Sequence, residues 1–206
     1  MFVITVDQQN SSATGSRAAR RMRELQTQHG DSLQLPVAQF AGDELQLIST
    51  DPAAVAHIAL EMADDDWHVG IGIGQGTLSA TAADSHGRAF QDARSAVNDS
   101  KSLPWHIAVR AAATEAAADC EAAFALLQSL RSRRTDAGVE IGRLVDELGS
   151  VTAAAEHLGI TVSAASKRAR IAGLRQEKAG IELLVRLLTR AEAASTASED
   201  HGRVAT

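Results

Sequence analysis

The segment Gly149–Arg175, GSVTAAAEHLGITVSAASKRARIAGLR, constrains the fold more than any other stretch of the chain. Val151, Ala154, Ala155 and Leu158 recur at helical spacing, so a helix is expected over about 151–158. Gly159 follows, where a sharp turn demands positive φ. Ile160 is placed to plug the turn, and the Thr161 hydroxyl to cap the next helix. That helix, about 162–172, has two sides. Ala165, Ala169 and Ala172 suit close packing; Ser163, Ser166, Lys167 and Arg170 suit polar contacts. Small alanines let two helices cross at short range.

Charge sharpens this reading. From His157 to Gln176 there is no acidic residue, while Lys167, Arg168, Arg170 and Arg175 are basic. Residues 131–190 hold eleven Lys/Arg against seven Asp/Glu; the remainder holds nine against nineteen, within a net charge of −6. An acidic body therefore carries a basic tool, which excludes a chain that coats nucleic acid over its whole surface. The pattern predicts a (winged) helix-turn-helix within 136–194, its second helix lying in the major groove of double-stranded DNA. Phosphate contacts would supply most of the affinity. The expected DNA-binding residues are Thr161, Ser163, Ser166, Lys167, Arg168, Arg170 and Arg175. An Ala-rich helical hairpin with a solvated basic face is the plainer alternative. The segment resembles the helix-turn-helix of LysR-type regulators through Gly149-Ser150, Ala154-Ala155-Glu156, Leu158, Ile160, Thr161, Ala164 and Ser166. SAASKRARIAGL also looks like a MarR-type recognition helix.

The N-terminal half is patterned differently. FVITV at 2–6 is β-branched and apolar, hence a strand. A helix is expected over about 16–28 with Gly30 at its C-cap. QLPVAQFAGDELQLIS at 34–49 reads as two short strands joined at Ala41-Gly42-Asp43-Glu44. Asp51-Pro52 opens a helix to about 64. WHVGIGIGQG at 67–76 alternates apolar residues with glycine, a strand. A helix at 86–98 and a short strand at 105–110 complete the region. This order predicts an α+β, ferredoxin-like (palm) domain over 1–110, an antiparallel sheet with helices on one face. A linker or dimerisation helix at 111–135, the helical domain at 136–194 and a disordered tail at 195–206 follow.

In that topology the first strand and the hairpin strands are neighbours, so Asp7 and Asp43 are expected at one sheet end. Two carboxylates there suit a divalent cation such as Mg²⁺ beside phosphates. The plain alternative is a hairpin turn and a strand-end aspartate. The polar connection before Ser16 and Arg17 could cradle an anion at a helix N-terminus. Ala41-Gly42-Asp43-Glu44-Leu45, the 69–74 glycine strand, Gly87-Arg88-Ala89-Phe90 and Ala93-Arg94 resemble the palm of class III nucleotide cyclases and GGDEF diguanylate cyclases. Asp7, Gly15-Ser16-Arg17, the GDE hairpin and the GIG strand are similar to SatD-like proteins. The resemblance implies a nucleotide or phosphate ligand at Asp7, Ser16, Arg17, Gly42, Asp43 and Glu44, with Asp7 and Asp43 as metal ligands. Ala41 and Leu45 stand where the diguanylate cyclase pattern has a second Gly and an aromatic, which argues against cyclase activity.

Glycines 70, 72, 74 and 76 fit neither the dinucleotide nor the P-loop spacing. The seven histidines form no zinc pattern, and Cys120 is the single cysteine. No apolar run reads as a transmembrane helix, and MFVITVDQQ reads as a strand and not as a signal peptide, so a cytoplasmic protein is expected. Small apolar faces at Ala116, Ala117, Cys120, Ala123, Phe124, Leu127 and Leu130, and at Ile181, Leu184, Val185 and Leu188, suit either a homodimer contact or packing within the chain. Together these features predict a sequence-specific transcription regulator with a ligand-sensing N-terminal domain. The alternative is a metal-dependent palm-type nucleotide-processing enzyme tethered to DNA.

Overall fold

The computed structural model describes residues 1–9, 17–40 and 42–204. It is α+β, a five-stranded mixed sheet with eight α-helices among the described residues. Two compact units are present: residues 1–125 together with 183–206, and residues 126–182.

The first unit is built on strand β1 (Phe2–Gln8), β2 (Ala38–Gln39), β3 (Glu44–Ser49), β4 (Trp67–Ile73) and β5 (Ile107–Ala111), in the order β2-β3-β1-β4-β5. The β-branched, apolar β1 takes the centre, where both of its edges are paired. It runs antiparallel to β3 and to β4, with Val3 opposite Ile48 and Gly72. Helices α1 (Ala18–His29) and α2 (Pro52–Asp64) pack together: Arg21 Nε donates to Met62 Sδ (3.3 Å), and its Nη2 donates to Glu61 (2.6 Å). Asp51 caps α2, accepting from Ala53 N at 2.8 Å with Pro52 at the first helical position. Gly30 is not a left-handed cap; it opens a 3₁₀ turn at φ −50°.

Two expectations need correction here. The sheet is not purely antiparallel, because β5 pairs parallel to β4, Val69 opposite Ile107. Parallel neighbours need a crossover, and α3 (Arg88–Ser100) supplies it. Nor do the helices keep to one face. A Cβ on Gly72 would overlap the Ala89 carbonyl oxygen of α3, and one on Gly70 would lie 2.7 Å from Val97 Cα. The even-numbered glycines therefore point at α3, and the alternate residues Trp67, Val69, Ile71 and Ile73 point to the other face. Arg17, at the start of α1, lies over the Trp67 ring on that second face, 5.9 Å from its centroid. The glycine strand is thus a helix-packing surface, and α3 sits almost on the backbone.

Helix α4 (Thr114–Arg131) crosses from the first unit to the second, and α8 (Leu174–Val204) returns. The predicted disordered tail at 195–206 is instead helical as far as Val204. Ser195 is fully buried, and the Glu199 carboxylate accepts from Gln75 N at 3.0 Å. Sparse anchors of this kind leave STASED looking solvated in composition.

The second unit contains α5 (Asp136–Leu148), α6 (Val151–His157) and α7 (Val162–Ile171). Ile141, Leu144, Ala154, Ala155, Ala165, Ala169 and Ala172 form its core, with Val145, Val151, Leu158, Ile160 and Leu174 packed around them. No strand occurs among its described residues, so the helices carry no wing. No helix of the described residues is long and apolar enough to cross a membrane.

Candidate functional site

The basic segment is held by three local devices. Gly149 ends α5 in the left-handed conformation at φ 77°. Ser150 caps α6, accepting from Ala153 N at 3.1 Å, and Thr161 caps α7, accepting from Ala164 N at 3.2 Å. Gly159, at φ 62°, makes the turn between them. Thr161 is thereby committed through its hydroxyl to the helix end.

Helix α7 buries Ala165 and Ala169, followed by Ala172, and exposes Ser163, Ser166, Lys167 and Arg170; Arg168 is half-buried. Arg175 is exposed at the start of α8. No carboxylate among the described residues lies within ion-pairing distance of Lys167, Arg168, Arg170 or Arg175, whereas Arg143 of α5 is paired with Glu147. Four uncompensated cations over nine residues make a local positive field. The alanines of α7 make a core because α6 contributes alanines of its own, and two such faces approach closely.

The far end of α7 is fixed by a partly buried ion cluster. Arg134 Nε donates to the carbonyl of Ala172 at 2.9 Å, and Arg134 Nη2 pairs with Glu177 at 2.5 Å. Arg131 pairs with the same carboxylate. Arg134 and Glu177 side chains are 8% and 12% exposed. These residues were not singled out by sequence reasoning. The signal was faint: Glu177 is the first acid after the basic run.

In the first unit the sheet register puts Glu44, not Asp43, opposite Asp7, and puts His68 on its other side. Asp43 sits with Gly42 (φ 85°) in the turn. Asp7 is paired with Lys101 at 2.6 Å, and Glu44 with Arg94 at 3.2 Å. Each carboxylate thus has a cation of its own. Among the described residues no three His, Cys, Asp or Glu side chains are placed to share a metal ion. The donor set that Asp7 and Asp43 were expected to offer Mg²⁺ does not fit. Arg17 is turned toward α2, its guanidinium on Asp65 at 3.2 Å and over Trp67. Ser16 lies outside the described residues.

Sequence reasoning also missed two histidines at this sheet end. His68 and His106 meet edge to face, 5.1 Å between centroids, and both Nδ1 atoms are buried without a hydrogen-bond partner. Burial pushes the His68 imidazole below its ordinary value; His106 and Lys101 add to this, while Asp7 and the Ser100 backbone oppose it.

The apolar faces considered for a dimer are spent within the chain. Ala117, Cys120, Ala123, Phe124, Leu127, Leu184 and Leu188 are all buried. Burial, with a smaller contribution from Asp119, pushes the Cys120 thiol up to about 12, so it is an inert packing group. Comparison with known proteins finds no matching family model, curated protein or solved structure.

Proposed function

We propose that this protein is a sequence-specific, double-stranded DNA-binding regulator, and that α6 and α7 are its helix-turn-helix. One observation carries the reading. Lys167, Arg170 and Arg175, with the half-buried Arg168, stand on or beside a capped, alanine-packed helix with no carboxylate in reach. Solvated basic residues on ordinary helices are usually interspersed with acids at i±4, as Arg143 is with Glu147. Leaving four cations uncompensated raises self-repulsion, and a polyanion relieves it.

The strand order β2-β3-β1-β4, with β1 antiparallel to both neighbours, supports the ferredoxin-like reading of the first unit. In the same proposal the Asp7 end of that sheet takes a phosphate-bearing ligand without Mg²⁺, through Arg94 and Lys101. A homodimer on two-fold half-sites would use surfaces other than the buried faces of α4 and α8.

The test is a salt titration. Fluorescence anisotropy of a labelled duplex is measured from low to moderate salt for the wild type and for Lys167→Ala/Arg170→Ala. Two cations lost from the DNA face weaken binding and lower the slope of log affinity against log salt, by about 2 at most. Binding and slope that are unchanged in the double variant would overturn the proposal.

A further inference from the structure

We infer that α7 takes its specificity from guanine and the thymine methyl, and has no side chain for the two-point contact to adenine or the carboxylate contact to cytosine; this rests on the DNA-binding reading above. The inference comes from the chemistry that α7 exposes. Each base offers a different set of groups in the major groove. Arg and Lys match the paired acceptors O6 and N7 of guanine, amide side chains match adenine, carboxylates match the cytosine amine, and apolar groups match the thymine methyl. Residues Val162–Ile171 are VSAASKRARI, with no amide and no carboxylate. The next amide, Gln176, lies beyond Gly173 on α8. The helix therefore lacks the amide that grips adenine at two points and the carboxylate that accepts from cytosine; Ser163 and Ser166 can bond to any base and discriminate weakly.

What it does present is arranged for the other two bases. At about 100° per residue, Val162, Ser166, Arg170, Ser163 and Lys167 fall within an arc of about 140°, with Val162 at its edge beside the buried Ala165, Ala169 and Ala172. Val162 is 47% exposed although it is β-branched and apolar. It stands in the first turn, the part of such a helix nearest the bases. Nearly half of this residue stays open to solvent, and the cations on the same arc direct the face at DNA rather than at an apolar partner. A thymine methyl is the apolar group that this groove offers. Lys167 and Arg170, one and two turns further on, carry the donors for guanine.

Base analogues test this on the full chain. Duplexes are selected from a randomised library, and the winning sequence is resynthesised with single replacements. Deoxyuridine removes a thymine methyl; 7-deazaguanine and 7-deazaadenine each remove an N7 acceptor. Deoxyuridine at one position should weaken wild-type binding about fourfold, the worth of one methyl removed from water. The same replacement should have no effect on Val162→Ala. 7-Deazaguanine at a second position should weaken binding about tenfold, and 7-deazaadenine should weaken it less than that at every position. A selected duplex that is indifferent to deoxyuridine at every position overturns the inference, as does one weakened as much by 7-deazaadenine as by 7-deazaguanine. In either case the DNA-binding reading survives. Absence of any selectable duplex overturns both. The analogue series uses wild-type protein, so the outcome does not depend on the variant folding.

Discussion

Removing Glu177 is the sharpest test of how the basic helix is held. The Glu177 carboxylate is shared by Arg131 and Arg134, and Arg134 also donates to the Ala172 carbonyl at the end of α7. The three side chains are 12%, 22% and 8% exposed, so water screens them poorly. In Glu177→Ala the Arg134 guanidinium loses its carboxylate and Arg131 loses one of its contacts. Breaking a buried pair in this way costs about 3–5 kcal/mol. The second unit spans about sixty residues, and at typical stability per residue such a unit is worth only about 3–9 kcal/mol. Glu177→Ala should therefore leave it marginal or unfolded at 25 °C. Glu177→Gln keeps acceptor and donor groups in place but removes the charge, and should cost about half as much. Urea unfolding followed by far-ultraviolet circular dichroism reports the helices of both units. Tryptophan fluorescence reports the first alone, because Trp67 and Trp105 both lie there. The dichroism midpoint should fall strongly while fluorescence moves less. A loss below about 1 kcal/mol in Glu177→Ala would refute the claim that this carboxylate ties Arg134 and Arg131 to the end of α7.

Two further outcomes follow from the first unit. Gly72→Ala should remove most of the soluble folded protein, at a cost of about 3 kcal/mol or more. The added methyl would overlap the Ala89 carbonyl and sit 2.5 Å from Ala93 N, and neither backbone atom can turn aside; a urea midpoint within experimental error of wild type would contradict the packing of α3. His68 predicts a pH dependence. Its folded value is depressed by burial, so its contribution is fully present above the ordinary histidine value of about 6.5 and is lost as pH falls through that value toward the folded one. The urea midpoint should drop between pH 7.5 and pH 5, and His68→Gln should flatten that drop; an equal drop in the variant would assign the effect elsewhere.

Much of the fold was legible because its signals are local. The Asp51-Pro52 cap, the Gly42 turn, the Gly149 and Gly159 left-handed positions and the Thr161 cap each involve groups within a few residues of one another. The alternation in β4 gave a strand for the same reason. What the glycines there were for could not be read locally. Their purpose is set by α3, some twenty residues later, lying on the opened face. The parallel β5 and the helices on both faces follow from that placement. The candidate metal site failed on register: Asp43 and Glu44 are adjacent in sequence, but pleating sets Glu44 beside Asp7. Lys101, which holds Asp7, is ninety-four positions away and has no motif to announce it.

The same contrast bears on which charges are available for function. Arg21 looks as available in sequence as Lys167. In the structure it is 8% exposed and bonded to Glu61, Glu24 and Met62. Arg17, Arg94, Lys101 and Arg110 likewise each have a carboxylate, of Asp65, Glu44, Asp7 and Asp99. A ligand at the Asp7 end must therefore compete with an existing ion pair for each cation it uses. A phosphate at α7 displaces no protein carboxylate. Surface pairs are worth about 0–1 kcal/mol, so that competition is surmountable for a multivalent anion. It nevertheless predicts an order: the α7 face should bind polyanion at salt concentrations that already suppress anion binding at the sheet end.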